Sequence, residues 1–170
     1  LATSFNDLAV LYASTQRLRD SEDMLKGSLA ISERLAKENP EAYEPALATS
    51  YSCLAQLYDR TQRLRESEEL YKKSLVIFEG HAEEIPQMYE QALAGAYFGL
   101  AQLYGRTQRL RECEELSKKS LAILERLAKE NPQAYEPALA ESYNYLAQLY
   151  GKAQRLRECE ELSKKSLAIL

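Results

Sequence analysis

Apolar residues along the chain fall at helical spacing, and the spacing itself repeats. Leu47, Tyr51, Leu54, Ala55 and Tyr58 lie three or four positions apart and make one apolar face of a helix. After a short polar turn, Leu70, Ser74, Leu75 and Phe78 make the inner stripe of a second helix. The phrase Leu54-Ala55-Gln56-Leu57-Tyr58 has three counterparts, Leu8-Ala9-Val10-Leu11-Tyr12, Leu100-Ala101-Gln102-Leu103-Tyr104 and Leu146-Ala147-Gln148-Leu149-Tyr150. The starts at 8, 54, 100 and 146 set a period of 46 residues. A fixed period in the range of 20 to 50 residues marks one supersecondary unit stacked on itself. The pattern predicts eight helices, the first of each pair at about 2–15, 44–61, 90–107 and 136–153, and the second at about 19–38, 65–84, 111–130 and 157–170.

Punctuation supports this division. The second helices stop before Pro40, Pro86 and Pro132, because the residue ahead of a proline is pushed out of the α region. Pro45 suits the first turn of the following helix. Glu41-Ala42-Tyr43 and Gln133-Ala134-Tyr135 are read as an extra helical turn ahead of it. Leu64 is expected to close the inter-helix turn with an apolar contact. The pairs Glu68–Lys72 and Glu69–Lys73 return as Glu114–Lys118, Glu115–Lys119, Glu160–Lys164 and Glu161–Lys165. Their i,i+4 order marks a solvated outer face. One array is expected, with repeats at about 1–39 and 132–170, both partial, and at 40–85 and 86–131. It opens and closes inside a helix pair without the polar caps that terminal repeats need, so end-to-end self-association is expected. Residues 108–124 and 154–170 are identical, as recent duplication or consensus design would leave them, and the retained cysteines and irregular second repeat favour a natural origin.

Composition narrows the function classes. Among 170 residues, 26 acidic against 22 basic side chains give a net charge of -4, which disfavours nucleic acid as a partner. No apolar run approaches the roughly 20 residues that span a bilayer, so no membrane is expected. Cys53, Cys113 and Cys159, odd in number and widely spaced, fit a reducing compartment and a cytoplasmic location. A metal site would need more ligands than the lone His81 adds. There is no Gly-rich phosphate loop and no Ser/His/Asp set, and the carboxylates stand beside lysines on outer faces. The reading is of a chain that is not an enzyme, with no catalytic residue and no cofactor. His81 stands where sister repeats have Leu35 and Leu127. It reads as drift at a half-exposed helix end, with a pH-sensitive or partner-contacting point as the alternative. Gly80 replaces Arg34 and Arg126, Ile85 replaces an Asn and Gln91 replaces a Pro, so a bend is expected between the second and third repeats.

These residues resemble the tetratricopeptide repeat. The match rests on an aromatic (Phe5, Tyr51, Tyr97, Tyr143), then Leu, a small residue and Tyr (Leu54, Ala55, Tyr58 and equivalents) in each first helix. Small residues follow in each second helix at Ser21, Ser67, Cys113 and Cys159, and at Ser28, Ser74, Ser120 and Ser166. The 46-residue repeat departs from the family's usual 34, because Glu33, Glu79 and Glu125 replace the proline that ends the second helix. In length and phrasing it is similar to the repeats of kinesin light chains and of large bacterial signalling proteins. Gln16, Gln62, Gln108 and Gln154 stand where the family has Gly in the inter-helix turn.

The resemblance implies an all-α, right-handed superhelix of about four helix-turn-helix repeats, with the first helices lining a concave surface that holds a peptide or partner. The matching positions in the four repeats are Asn6, Val10 and Ser14; Ser52, Gln56, Asp59 and Arg60; Phe98, Gln102 and Arg106; and Asn144, Gln148 and Lys152. A Gln ladder (Gln56, Gln102, Gln148) suits peptide backbone groups, and a basic ladder (Arg60, Arg106, Lys152) suits an acidic segment. The family's carboxylate clamp is not matched, since Val10, the Gln series and Phe98 occupy its places. The implied function is a protein-interaction scaffold. The alternative is the sensor or regulatory arm of a larger multidomain signalling protein.

Overall fold

The structure is a computed structural model that describes Leu8, Ala9, Leu11, Tyr12, Thr15 and residues 17–169. The expected helix at 2–15 lies largely outside the described residues; Leu8, Ala9, Leu11 and Tyr12 are helical. Among the described residues there are seven further helices and no strand. They are α1 (Leu18–Glu38), α2 (Pro40–Arg60), α3 (Leu64–Glu84), α4 (Pro86–Arg106), α5 (Leu110–Glu130), α6 (Pro132–Lys152) and α7 (Leu156–Leu167). The chain divides into two compact units, Leu1–Ala92 and Leu93–Leu170.

The joints between helices are one and three residues long, and each length has a chemical cause. Asn39 ends α1, its N–H reaching Leu35 O at 2.9 Å, and starts α2, its Oδ1 accepting from Ala42 N at 3.2 Å. Asn131 repeats this between α5 and α6, with Ala134 N at 3.3 Å from its Oδ1. Pro40 and Pro132 follow as the first helical residues, where a missing N–H leaves nothing unsatisfied. This corrects the expectation for Pro45, which stands inside α2, and so for the starts of α2, α4 and α6, which come four residues earlier than the apolar pattern suggests. The Asn cap outweighs the second proline, and the Glu41-Ala42-Tyr43 turn is part of the helix proper. At the other end, α7 stops at Leu167 and not at 170.

The three-residue joints are Schellman turns. Arg63 N–H bonds Tyr58 O at 2.8 Å and Gln62 N–H bonds Asp59 O at 3.2 Å. Gln62, Gln108 and Gln154 occupy the left-handed position with φ of 63°, 60° and 60°. They hold the conformation that glycine would adopt without a Cβ penalty. Apolar contact normally closes such a turn, but here an arginine closes it. The Arg63 guanidinium lies 3.6 Å from the centre of the Tyr58 ring, and Arg109 and Arg155 repeat this on Tyr104 and Tyr150 at 3.8 and 4.0 Å. Leu64, expected to close the turn, is instead the first residue of α3.

Close helix crossing explains the small residues of the second helices. Ser67 Oγ donates to Ala55 O at 2.8 Å and Ser74 Oγ to Ala48 O at 2.8 Å in the first unit. Ser120 Oγ reaches Ala94 O at 2.9 Å and Ser166 Oγ reaches Ala140 O at 3.2 Å in the second. Each hydroxyl uses the second lone pair of a helix carbonyl, so the polar group is buried and satisfied at once.

Charge then ties neighbouring repeats. Glu22 on α1 accepts from Lys26 Nζ at 2.8 Å, Arg63 Nη1 at 2.7 Å and Tyr58 Oη at 3.3 Å. Glu114 on α5 accepts from Lys118 Nζ at 2.6 Å, Arg155 Nη1 at 2.8 Å and Tyr150 Oη at 3.0 Å. Lys26 and Arg63 hold the Glu22 carboxyl below its ordinary value. At Glu114 burial pushes the other way, but the bonds from Lys118, Arg155 and Tyr150 outweigh it and the net direction is down.

Candidate functional site

The second unit presents a groove built from the first helices of two adjacent repeats, α4 and α6. Helical spacing puts Phe98, Gln102 and Arg106 at successive turns of one face of α4. Asn144, Gln148 and Lys152 do the same on α6. Gln102, Arg106, Gln148 and Lys152 line a cleft of about 470 Å3, together with Gly105, Gln108, Leu110, Tyr145 and Leu149. Phe98, Gln102, Asn144 and Gln148 line another of about 460 Å3, with Pro137, Ala140, Glu141 and Tyr145. All six positions that the resemblance singled out in this unit therefore border the two clefts, and Gln102, Gln148 and Tyr145 border both. One cleft carries two cationic side chains. The other carries two aromatic rings, three amides and the Glu141 carboxylate.

The first unit is different. Gln56 and Arg60 border a cleft of only about 30 Å3 with Ala9, Ser21, Leu25, Cys53 and Leu57. Ser52 is half-buried and its hydroxyl sits 2.6 Å from Ser74 Oγ, so it serves the packing of α2 on α3. Asp59, placed on the concave surface by the resemblance, is buried at 4% exposure. Asn6, Val10 and Ser14 lie outside the described residues. His81 is mostly covered, with Nε2 at 3.3 Å from Glu44 Oε2 and its ring 5.2 Å from that of Tyr89.

Tyr145 and Gly105 are the groove residues that sequence reasoning passed over. Tyr145 reaches from α6 to α4, where its hydroxyl donates to Ala101 O at 3.3 Å and lies 3.5 Å from the buried Cys113 Sγ. Its ring meets Phe98 edge-on at 5.4 Å. A Cβ on Gly105 would collide with the Tyr145 hydroxyl, so glycine is what admits the ring. The signal was present in the sequence as a break in the repeat. Tyr145 stands where earlier repeats have Cys53 and Gly99, and Gly105 stands where the repeat before it has Asp59.

Among the described residues no three His, Cys, Asp or Glu side chains are grouped to hold a metal ion, and no helix is long and apolar enough to cross a membrane.

Residues 1–41 and 47–81 match the family model of the tetratricopeptide repeat. No curated protein matches the sequence. Among solved structures, BtubC (BKLC) from P. vanneervenii aligns with a TM-score of 0.79 at 20% identity, over 99% of this chain and 63% of that one. A putative kinesin light chain from Podosopora anserina, with nearly identical TPR-like repeats, aligns at 0.73 and 20% identity, over 98% of this chain and 74% of that one. Aspartyl phosphate phosphatase F from Bacillus subtilis aligns at 0.77 and 17% identity, over 99% of this chain but 39% of its own. This chain thus spans less than two thirds of BtubC and well under half of the phosphatase. At such identities the likeness is one of fold, and it agrees with the family match and with the repeat read from the residues. Residues 1–41 and 47–81 thus match tetratricopeptide repeats, and the same helix pair returns with a 46-residue period through the rest of the chain.

Proposed function

We propose that the chain is a protein-interaction module that holds an extended, acidic peptide or partner segment between α4 and α6. One observation carries this reading: Gln102 and Gln148, with Arg106 and Lys152, border a single open cleft of about 470 Å3. Paired amides offer donors and acceptors to a peptide backbone, and paired cations favour a carboxylate side chain over neutral competitors. Association is then faster at low salt, although the whole chain is acidic. Gln56 and Arg60 repeat the same amide and cation pairing within the first unit.

Panning a random peptide library against the chain and against an Arg60→Glu, Arg106→Glu, Lys152→Glu variant tests the proposal. Peptides sharing an acidic motif should bind the parent and lose at least about tenfold in affinity for the variant, as two or three lost charge contacts imply. Selection of the same peptides by both proteins would refute the basic groove.

A second reading has its own support. The chain covers only 39% of aspartyl phosphate phosphatase F and 55% of RapI. Helix pairs of this kind thus form one part of longer chains, and here the module would serve as a sensor or regulatory arm. Fusion partners encoded in the full gene decide between the two.

A further inference from the structure

Tyr145 occupies a niche that fits its phenol closely. The hydroxyl meets Ala101 O and Cys113 Sγ, the ring edge meets Phe98, and Gly105 leaves the space that a Cβ would fill. The same ring, with Gln102 and Gln148, borders both clefts of the groove and stands where they adjoin. Earlier repeats do without any such ring, having Cys53 and Gly99 at that position, so the repeat fold does not itself require it. The acceptor is a carbonyl inside α4, whose helical bond remains if the phenol leaves, so departure does not orphan a buried group. Tyr145 is also half-buried and borders two open clefts.

We propose that Tyr145 is a displaceable stopper, and that a tyrosine side chain of the bound segment takes its niche and joins the two clefts. The identity of the bound segment rests on the peptide-groove reading above, while the niche stands on its own geometry. An incoming phenol restores the hydroxyl bond to Ala101 and the edge contact with Phe98, so the exchange is close to even in contacts. Affinity then comes from the backbone and charge contacts that joining the clefts makes available.

The test uses Cys113 as reporter, in a background with Cys53→Ser and Cys159→Ala. Tyr145→Gly, which installs the residue found at position 99, should raise the rate of Cys113 alkylation by iodoacetamide at least about tenfold. Adding p-cresol should slow it again in a saturable way, and toluene should do so far less. A folded Tyr145→Gly variant in which p-cresol gives no saturable protection would overturn the niche. Tyr145→Ala, a better helix former, is the second variant. If both fail to fold, the ring is essential to the fold, and displacement is refuted. Peptides from the panning separate the two readings. Motifs with an invariant Tyr whose binding is lost in Gly105→Ala, where a methyl fills the niche, support displacement. Motifs without Tyr refute displacement and leave the groove intact. If no peptide is selected the groove fails, and p-cresol still decides the niche.

Discussion

The left-handed glutamines offer a sharp test of how the inter-helix turns are built. Gln62, Gln108 and Gln154 hold φ near 60°, a region where a Cβ costs roughly 1–2 kcal/mol. All three side chains are exposed, so replacing them forfeits little packing. Glycine removes the Cβ penalty but adds unfolded-state entropy worth about 0.5–1 kcal/mol. Each Gln→Gly change should therefore stabilise by about 0.5–1 kcal/mol, and the three together by about 2 kcal/mol if distant sites add. Alanine is the control, since it shortens the side chain and keeps the Cβ, and it should give no gain. Urea unfolding gives the size of the effect. Hydrogen exchange in the flanking helices should accompany it, because repeat arrays need not unfold in a single step. Equal stability of the Gly and Ala variants would refute the claim that backbone strain, and not side-chain chemistry, sets the energy of these turns.

Three further outcomes follow from the packing and the charges. Glu114→Gln should flatten the acid limb of stability: the Glu114 carboxyl lies below its ordinary 4.5, so its contribution is full above that value and is lost as pH falls through the lowered one. Melts from about pH 6 down to about pH 3 should show the parent losing more than the variant. Ser120→Ala removes the bond to Ala94 O and should cost about 1 kcal/mol, whereas Ser120→Leu overfills the same crossing and should cost more, up to about 3 kcal/mol in denaturant titrations. Gly95→Ala adds a Cβ that meets nothing within 4 Å on an exposed helix face, and should raise the thermal midpoint by about 2 °C.

The helical repeat was legible because one apolar phrase returns at a fixed period, and the second helices begin within a residue of where their pattern starts. Where reading failed, a local signal was judged without its competitor. Pro45 looked like a first-turn residue, but Asn39 caps a helix that begins at Pro40, so the second proline is carried inside. The glutamines were seen as replacements for glycine, but their positive φ could not be read from letters, since glutamine is an ordinary helix former. In the groove, periodic residues were found because they recur. Tyr145 was missed because it departs from the recurrence, and Gly105, which returns as Gly151, because only coordinates show that it makes room for the ring. Asp59 looked equivalent to exposed neighbours yet is covered, as spacing alone does not report depth.

The single-residue joint at Asn131 bears on how such a chain can change over generations. One inserted residue advances a helix by about 100°. With no loop to absorb it, an insertion between α5 and α6 would swing Gln148 and Lys152 off their face and bury their polar neighbours. Small insertions and deletions are therefore nearly closed to this chain as a source of variation. Copying a whole period leaves every joint in phase, and the identity of residues 108–124 with 154–170 is what that route leaves behind. Novelty is then confined to point changes inside a copied frame, and Tyr145, where earlier repeats have Cys53 and Gly99, is one of them.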